Sequence, residues 1–414
     1  MLTVPASFTA AQRVTEAFGD TKEQLAYLPD GANLGHSCGD PVAIASLREG
    51  EHVLDLGSGG GINVFLAASK VGPTGQVVGL DASPNMISLS RQNSASRNLK
   101  PPHVSFTQCP LTETLPVISD SVDCILSNCI TNPLLASGAA HLFKEAYRVL
   151  RVGGRLAVSD IIAKAALPDD IRNDLSAHIS CIPRTVALEE YKQFLSEAGF
   201  HEISFVATEP DLNMHSQNGI NAQQTSGQLV AVIACSSDGS AKPSYNVNEY
   251  VASYLIRAVK PGKPVAEKAV NVLRHWWDAY PGVESAPPHQ LTPDDVAGLI
   301  RASGTDYAVI DVRGNDHMGG HVRGSYQRAA QTFYDDLPRF FDQFRDTEKV
   351  IFYCGSSRGR GPRCAGWYQD YLDGTGFEHK SKAYVLQGGA KEWLLRFKGQ
   401  DELVDYDEMT VSMF

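Results

Sequence analysis

Val53-Leu54-Asp55-Leu56-Gly57-Ser58-Gly59-Gly60-Gly61 decides how the first half of the chain folds. It reads as a buried strand running into a glycine turn, followed by the helical pattern Ile62-Asn63-Val64-Phe65-Leu66-Ala67-Ala68. Glycines at 57, 59 and 61 let the backbone pass close under a ligand at a helix N-terminus. A dinucleotide fingerprint needs its third glycine at position 62, where Ile62 stands, so the pyrophosphate reading loses its packing residue. A second strand, Gln76-Val77-Val78-Gly79-Leu80, ends on Asp81, where folds of this kind hold an acid for ribose hydroxyls.

Outward from that stretch, strand and helix signals alternate. A helix is expected over 84–98, with Pro84 at its first position, then strands over 103–107, 122–127 and 155–161. A helix over 141–150 should end at the turn Arg151-Val152-Gly153-Gly154, and another over 188–199 closes on a glycine. Segments 201–207 and 228–235 read as a terminal strand pair. Residues 1–50 read as helical, with a loop rich in Gly, Asn, Asp and Pro at 30–41. The fold class expected is α/β with a doubly wound sheet over residues 1–235. Residues 236–288 break the pattern and are expected to form a helical connector. Its helices fall at 247–260 and 264–280, the first with Val251, Tyr254, Leu255, Ala258 and Val259 on one face. Pro281-Gly282 and Ser285-Ala286-Pro287-Pro288 mark a boundary, and a second α/β domain is expected over 289–414. There Thr292 caps a helix with Pro293 at N1, Tyr307–Arg313 reads as a strand, and Lys349–Tyr353 is a strand that runs directly into Cys354.

At 414 residues the chain is long for one domain. A net charge of -11 argues against nucleic acid as a partner, because phosphate neutralisation needs a basic face, and it disfavours an anionic membrane. No apolar run approaches the ~18 residues of a membrane-spanning helix. The opening Met1-Leu2-Thr3-Val4-Pro5-Ala6 lacks the basic and apolar regions of a signal peptide, so a cytoplasmic protein is expected. None of the eight cysteines forms a C-x-x-C pair, which leaves no zinc or redox spacing and predicts free thiols. Cys109, Cys124 and Cys235 read as small buried hydrophobes.

The G-x-G-x-G spacing resembles motif I of the class I S-adenosylmethionine-dependent methyltransferases. Further residues narrow the likeness: Ser37-Cys38-Gly39-Asp40-Pro41 before motif I, Asn128-Cys129 after the fourth strand, Ser180-Cys181-Ile182 after the fifth, and Arg148–Leu156. Over about residues 20–235 the chain resembles the arsenite methyltransferases. That resemblance implies arsenic(III) bound by Cys38, Cys129 and Cys181. It also implies S-adenosylmethionine held by Asp55, Gly57, Ser58, Gly59 and Gly61, with Asp81 on the ribose. Met86, Leu111, Thr112 and Asn128 would complete the cofactor site. The chemistry is coherent, since trivalent arsenic is soft and thiolates suit soft acceptors. Three thiolates leave it pyramidal, with a lone pair free for in-line attack on a sulfonium methyl, and such positioning is worth ~7–11 kcal/mol. Cys38, on a loop before the sheet, is expected to matter less for the first methyl transfer than for later ones. The sequence departs from the family after two of the cysteines, with Ile130-Thr131-Asn132-Pro133 and Ile182-Pro183-Arg184-Thr185.

Cys354-Gly355-Ser356-Ser357-Arg358-Gly359-Arg360, followed by Gly361-Pro362, places a cysteine and an arginine five residues apart between a strand and a helix. The N–H groups of such a loop and the helix dipole make an oxyanion nest that favours a thiolate beneath it. Arginine grips two oxygens of a tetrahedral oxyanion at once, which lysine cannot do. Residues 289–400 resemble the rhodanese-fold phosphatases of the cell-division-cycle type and the related eukaryotic arsenate reductases, through Ile310–Arg313, Gly319–Ser325 and Arg360–Cys364. The resemblance implies Cys354 as nucleophile and Arg360 as oxyanion ligand. The phosphatases carry acids within the loop where Gly355 and Gly359 stand here, which weakens a protein-phosphatase role. Cys364 is expected to pack, and His317 and His321 are expected to hold no metal.

Together these readings describe an arsenic detoxification enzyme. Arsenate would be reduced at Cys354 with glutathione or another external thiol, and arsenite would be methylated with S-adenosylmethionine. Two alternatives stay open: an organic-substrate methyltransferase joined to a protein phosphatase, and a non-catalytic arsenite-binding protein.

Overall fold

The chain divides between Ala279 and Tyr280 into two units. The structure, a computed structural model, describes residues 15–16, 21–34, 38–132, 134, 136–168, 182, 185–213, 222–225, 228–231, 246–262, 271–314, 316 and 319–406, with backbone alone for 222–225 and 228–231.

In the first unit, β1 (His52–Leu56) is buried along its whole length and lies between two parallel neighbours. Around it the chain lays down β2 (Gln76–Asp81), β3 (Val104–Gln108), β4 (Val122–Asn128), β5 (Leu150–Ala163) and β6 (His201–Thr208). A hairpin of β7 (Ala222–Thr225) and β8 (Gln228–Ala231) precedes β9 (Val251–Val259). The seven-stranded sheet runs β3-β2-β1-β4-β5-β9-β6, with β9 antiparallel to both neighbours. Helices Ile62–Val71 and Pro84–Ser96 form where expected, the second capped by Ser83 with Pro84 in its first turn. The core beneath the first helix joins Val64, Phe65, Ala68 and Val71 to Val53, Val77 and Phe106. The strand order reverses beside β1, so the carboxyl ends of β1 and β4 flank a crevice where doubly wound sheets place ligands.

Several expectations are corrected here. Residues 247–260 do not form a connecting helix: they give a short 3-10 turn, Val247–Glu249, and then β9 inside the sheet. Of the apolar positions that suggested a helical face only Val251 and Ala258 are buried; the buried residues are Val251, Ser253, Ile256 and Ala258, and both edges of β9 are paired. Within 264–280, residues 263–270 lie outside the described residues and the remainder holds one 3-10 turn, Trp276–Ala279. The partner of β6 is accordingly β9, and among the described residues the segment from Gln228 pairs with β7. The expected turn at 151–154 is absorbed into β5, where the β4–β5 register shifts. In the first 50 residues, the described helices are short: Lys22–Tyr27 and Pro41–Ala45.

The second unit begins earlier than the proline cluster at 285–288 suggests. Tyr280 Oη donates to Gln331 O at 2.6 Å, and Trp367 Nε1 donates to Pro281 O at 2.8 Å. The N–H groups of Glu284 and Ser285 donate to Asp370, so 280–288 is tied into this unit rather than left as linker. The strands are β10 (His289–Leu291), β11 (Tyr307–Asp311), β12 (His321–Val322), β13 (Tyr326–Gln327), β14 (Lys349–Tyr353), β15 (Lys382–Leu386) and β16 (Val404–Asp405). Five form a parallel sheet, β10-β15-β14-β11-β13, and β12 pairs with β16. The helix Leu337–Phe344 inserts Phe340 beside Phe333 and Phe352, with Phe344 against Phe340, each worth ~1.5–3 kcal/mol of burial. Here too the strand order reverses, between β11 and β14, and both of those strands release loops at their carboxyl ends.

Candidate functional sites

After β1 the chain turns at Gly57 (φ 76°), and the N–H groups of Gly57 and Ser58 donate to Leu80 O at 2.8 and 2.9 Å. A Cβ on Gly57 would lie 2.5 Å from Ile130 Cδ1, so a side chain there would push against the loop that follows β4. Asp81 Oδ2 accepts from Gly59 N–H at 2.9 Å and its Oδ1 accepts from Ser83 N–H at 2.8 Å, which ties the glycine turn to the start of the next helix. Asp55 is fully buried and receives one hydrogen bond, 3.2 Å from Asn63 Nδ2, while its Oδ2 is buried with no partner. Burial pushes its carboxyl up to about 8, against the Asn63 bond and with a further rise from Asp81. Ser58 Oγ is also buried and unpartnered. An orphaned carboxylate oxygen and an orphaned hydroxyl over a glycine turn suit a ligand with a cationic group and polar hydrogens.

Across the crevice, β4 ends on Asn128 and the chain bends at Cys129, a non-glycine residue held in the left-handed region (φ 57°). Cys129 N–H donates to Ser159 O at 2.9 Å. Cys38 comes from 91 residues away and its sulfur is brought against that of Cys129, with Cα atoms 6.0 Å apart. Cys109, Cys124, Cys354 and Cys364 stand as free thiols, while Cys38 and Cys129 are close enough to pair or to share a ligand. Asn128 makes the pairing possible. Its Oδ1 accepts from Cys38 N–H at 2.8 Å and its Nδ2 donates to Gly39 O at 2.8 Å, so its amide clamps the cysteine loop. Ser253 Oγ, on β9, donates to Cys38 O. Cys181 lies outside the described residues.

In the second unit, β14 runs into Cys354, and the helix Arg360–Gly374 starts at the other end of the loop. Cys354 is 4% exposed. Its carbonyl accepts from Ala390 N–H at 2.9 Å, and that of Gly355 accepts from Lys391 N–H at 3.0 Å. With those carbonyls drawn to the start of the helix Gly389–Arg396, the N–H groups of 355–359 have no acceptor among the described residues. Ser357 is in the left-handed region (φ 49°), with its hydroxyl buried and unpartnered. Together they form a concave set of donors beside a cysteine, ready for an oxyanion. Gly389 (φ 61°) closes the floor, where a Cβ would lie 2.2 Å from Cys354 O and 2.9 Å from Ser357 N. Gly389→Ala is therefore expected to distort the loop and weaken inorganic phosphate binding at least about tenfold, measured by calorimetry.

A family described as "Methyltransferase domain" matches residues 47–199, and one described as "Rhodanese-like domain" matches residues 292–396. The chain therefore carries a methyltransferase domain followed by a rhodanese-like domain. It is 41% identical over 189 residues to the arsenite methyltransferase of Halobacterium salinarum, covering 46% of this chain and 47% of that protein. It is 34% identical over 90 residues to arsenate reductase 2.2 of Oryza sativa subsp. japonica, covering 21% of this chain and 69% of the relative. It is 28% identical over 132 residues to dual specificity phosphatase ibp1 of Schizosaccharomyces pombe, covering 28% of this chain and 96% of the relative. The chain spans about half the length of the first arsenite methyltransferases it matches.

In the methyltransferase domain the remaining candidates are more scattered. Met86 is half-buried in the first turn after Ser83, Leu111 is 6% exposed, and Thr112 is exposed. Asp160 was not legible as a site residue. It is wholly buried in β5, accepts from the N–H groups of Thr131 and Ile161 at 3.1 and 3.0 Å, and burial pushes it up to about 7. Its partner Thr131 follows Cys129 by two residues, so this buried acid braces the turn that carries the cysteine. In the rhodanese domain Cys364 is fully buried, and burial drives its thiol well above the usual range. His321 faces Asp405 at 3.6 Å, and His317 lies outside the described residues. The acid missing from the cysteine loop is supplied by another segment: Asp316 pairs with Arg360, which holds the Asp316 carboxyl down to about 2.

Proposed function

We propose that the chain is an arsenic detoxification enzyme that methylates arsenite and reduces arsenate. The observation that carries the reading is the meeting of Cys38 and Cys129 over the crevice beside the motif I turn. In the reduced state the two sulfurs, with Cys181, would hold arsenic(III) as a soft pyramidal ion whose lone pair is unshared. The cofactor is S-adenosylmethionine, which supplies an electrophilic methyl group on a sulfonium. Asp55 and Ser58 would take its amino acid end through the atoms now unpartnered, the 57–61 backbone would pass beneath it, and Asp81 would take the ribose. Both sulfurs must be reduced thiolates to ligate arsenic, so an external thiol such as glutathione would support the methyl transfer as well.

At the second site, Cys354 would attack arsenate held by the 355–359 N–H groups and Arg360, and an external thiol would complete the two-electron reduction. A protein phosphatase needs an acid to protonate its alkoxide leaving group. Asp316 is held ionised by Arg360 and is a poor acid at neutral pH, which favours arsenate over phosphoproteins. Incubating the protein with arsenate, thiol and S-adenosylmethionine and determining the arsenic species tests the whole reading. Methylated arsenic is expected, and turnover of aryl phosphates with no change in arsenate would overturn it.

Cofactor affinity should depend on pH through Asp55. With its carboxyl up at about 8, the ligand-free group is mostly protonated below that pH, and pairing with a cation must release the proton. Affinity is expected to rise as pH climbs from 6 to 8, by up to about tenfold per unit, and then level off. Calorimetry in buffers of different ionisation enthalpy reads the released proton, and Asp55→Asn should remove the slope. The same linkage sets a stability sign. The raised carboxyl leaves the ligand-free fold fully stable below the ordinary value of 3.8, and that contribution is lost as pH rises to about 8.

A further inference from the structure

We propose that Asp316 is the positioning residue of the oxyanion loop, clamping Arg360 end-on so that the inner edge of its guanidinium is presented to the anion. The proposal rests on reading the 354–360 loop as an oxyanion site. Arg360 Nη1 donates to Asp316 Oδ1 at 2.8 Å and Nη2 donates to Oδ2, so the carboxylate occupies the outer end of the fork. A guanidinium has a second two-donor edge, formed by Nε and the inner hydrogen of Nη2. Arg360 Nε has no partner among the described residues, which leaves that edge available.

The same domain shows the opposite arrangement in Arg313. There Nε donates to both oxygens of Asp311 at 3.0 Å and Nη2 donates to Oδ2 at 2.6 Å and to Gly320 O at 2.9 Å, so the side edge is consumed. Both partners of that pair are 4% exposed, and the arginine serves as a strut. Asp316 and Arg360 are instead 52% and 23% exposed, and Arg360 opens the helix directly after the loop of free N–H groups and the orphaned Ser357 hydroxyl. Asp316 reaches it from the turn after β11, the strand adjacent to β14, so two loops at neighbouring strand ends build one site. An arginine side chain loses much rotamer freedom when it binds an anion, and a clamp that restricts it beforehand lowers that cost.

The test uses the full-length protein and inorganic phosphate as probe, following iodoacetamide alkylation of Cys354 by mass spectrometry of its peptide. Phosphate should protect Cys354 in the wild type, and Arg360→Ala should lose that protection. Asp316→Ala and the near-isosteric Asp316→Asn should each require about tenfold more phosphate, with an unchanged thermal transition, while Asp316→Glu recovers part of the loss. The KM for arsenate should rise in parallel while kcat moves far less. Unchanged or tighter phosphate binding in Asp316→Ala and Asp316→Asn overturns the proposal, the tighter case making Asp316 a competitor for Arg360. If phosphate protection weakens as described but no form converts arsenate, the clamp stands and the arsenate reading falls. If arsenate is converted with the same KM in wild type and Asp316→Asn, the clamp falls and the arsenate reading stands. A wild type that phosphate does not protect overturns both.

Discussion

Cys129→Ser is expected to abolish methylation of supplied arsenite, lowering the rate by at least about a hundredfold, while S-adenosylmethionine still binds. A hydroxyl is a hard, weakly acidic ligand, and replacing one of three sulfurs leaves the arsenic both weakly held and misplaced. The residues proposed to hold the cofactor survive the change, because Asp55 lies on β1 and Gly57–Gly61 follow it, on the other side of the crevice. Cys38→Ser should fall as far. Its loop precedes the sheet in sequence, which suggested a lesser part, but the Asn128 clamp and the Ser253 bond place Cys38 against Cys129 at the centre of the site. Arsenic speciation by chromatography and cofactor calorimetry read the two halves of the prediction. Wild-type methylation by Cys129→Ser would sink the arsenic site, and a Cys38 variant that lost only later methyl transfers would restore the peripheral role.

Cys354→Ser should stop conversion of arsenate, by about a thousandfold or more, and leave methylation of supplied arsenite within about twofold of wild type. Cys354 is the thiol beside the loop of unpaired N–H groups, and Cys364, its neighbour in sequence, is fully buried with a thiol driven upward by burial. Each unit carries its own set of site residues, so the two activities should separate by mutation. Tethering can raise a partner's effective concentration to roughly millimolar, but arsenite is small and diffuses freely, so a shared chain does not by itself imply channelling. Adding unlabelled arsenite during arsenate turnover should therefore dilute the methylated product. Loss of arsenite methylation in a folded Cys354→Ser protein would assign Cys354 to the methyl-transfer site instead.

What the sequence by itself determined lies in short, contiguous patterns. The apolar run before Gly57 and the positive-φ glycines after it specify a strand and a turn within a few residues, whatever else the chain does. The same holds for the Cys354–Arg360 loop, whose strand, glycines and following helix are adjacent in sequence. The capping box of Thr292 and Asp295 is equally local. What only the tertiary structure decided joins residues far apart. Segment 251–259 has apolar spacing that suits a helical face or a strand, and it becomes a strand because the open edge of β5 and the preceding strand β6 both pair with it. Such pairing depends on backbone hydrogen bonds across 40 or more residues, as in Thr208 with Ser253, which no local periodicity encodes. Cys38 reaches Cys129 across 91 residues because Asn128 and Ser253 hold its loop, and Asp316 reaches Arg360 across 44 because parallel strands bring their carboxyl ends to one edge of the sheet whatever their order in the chain.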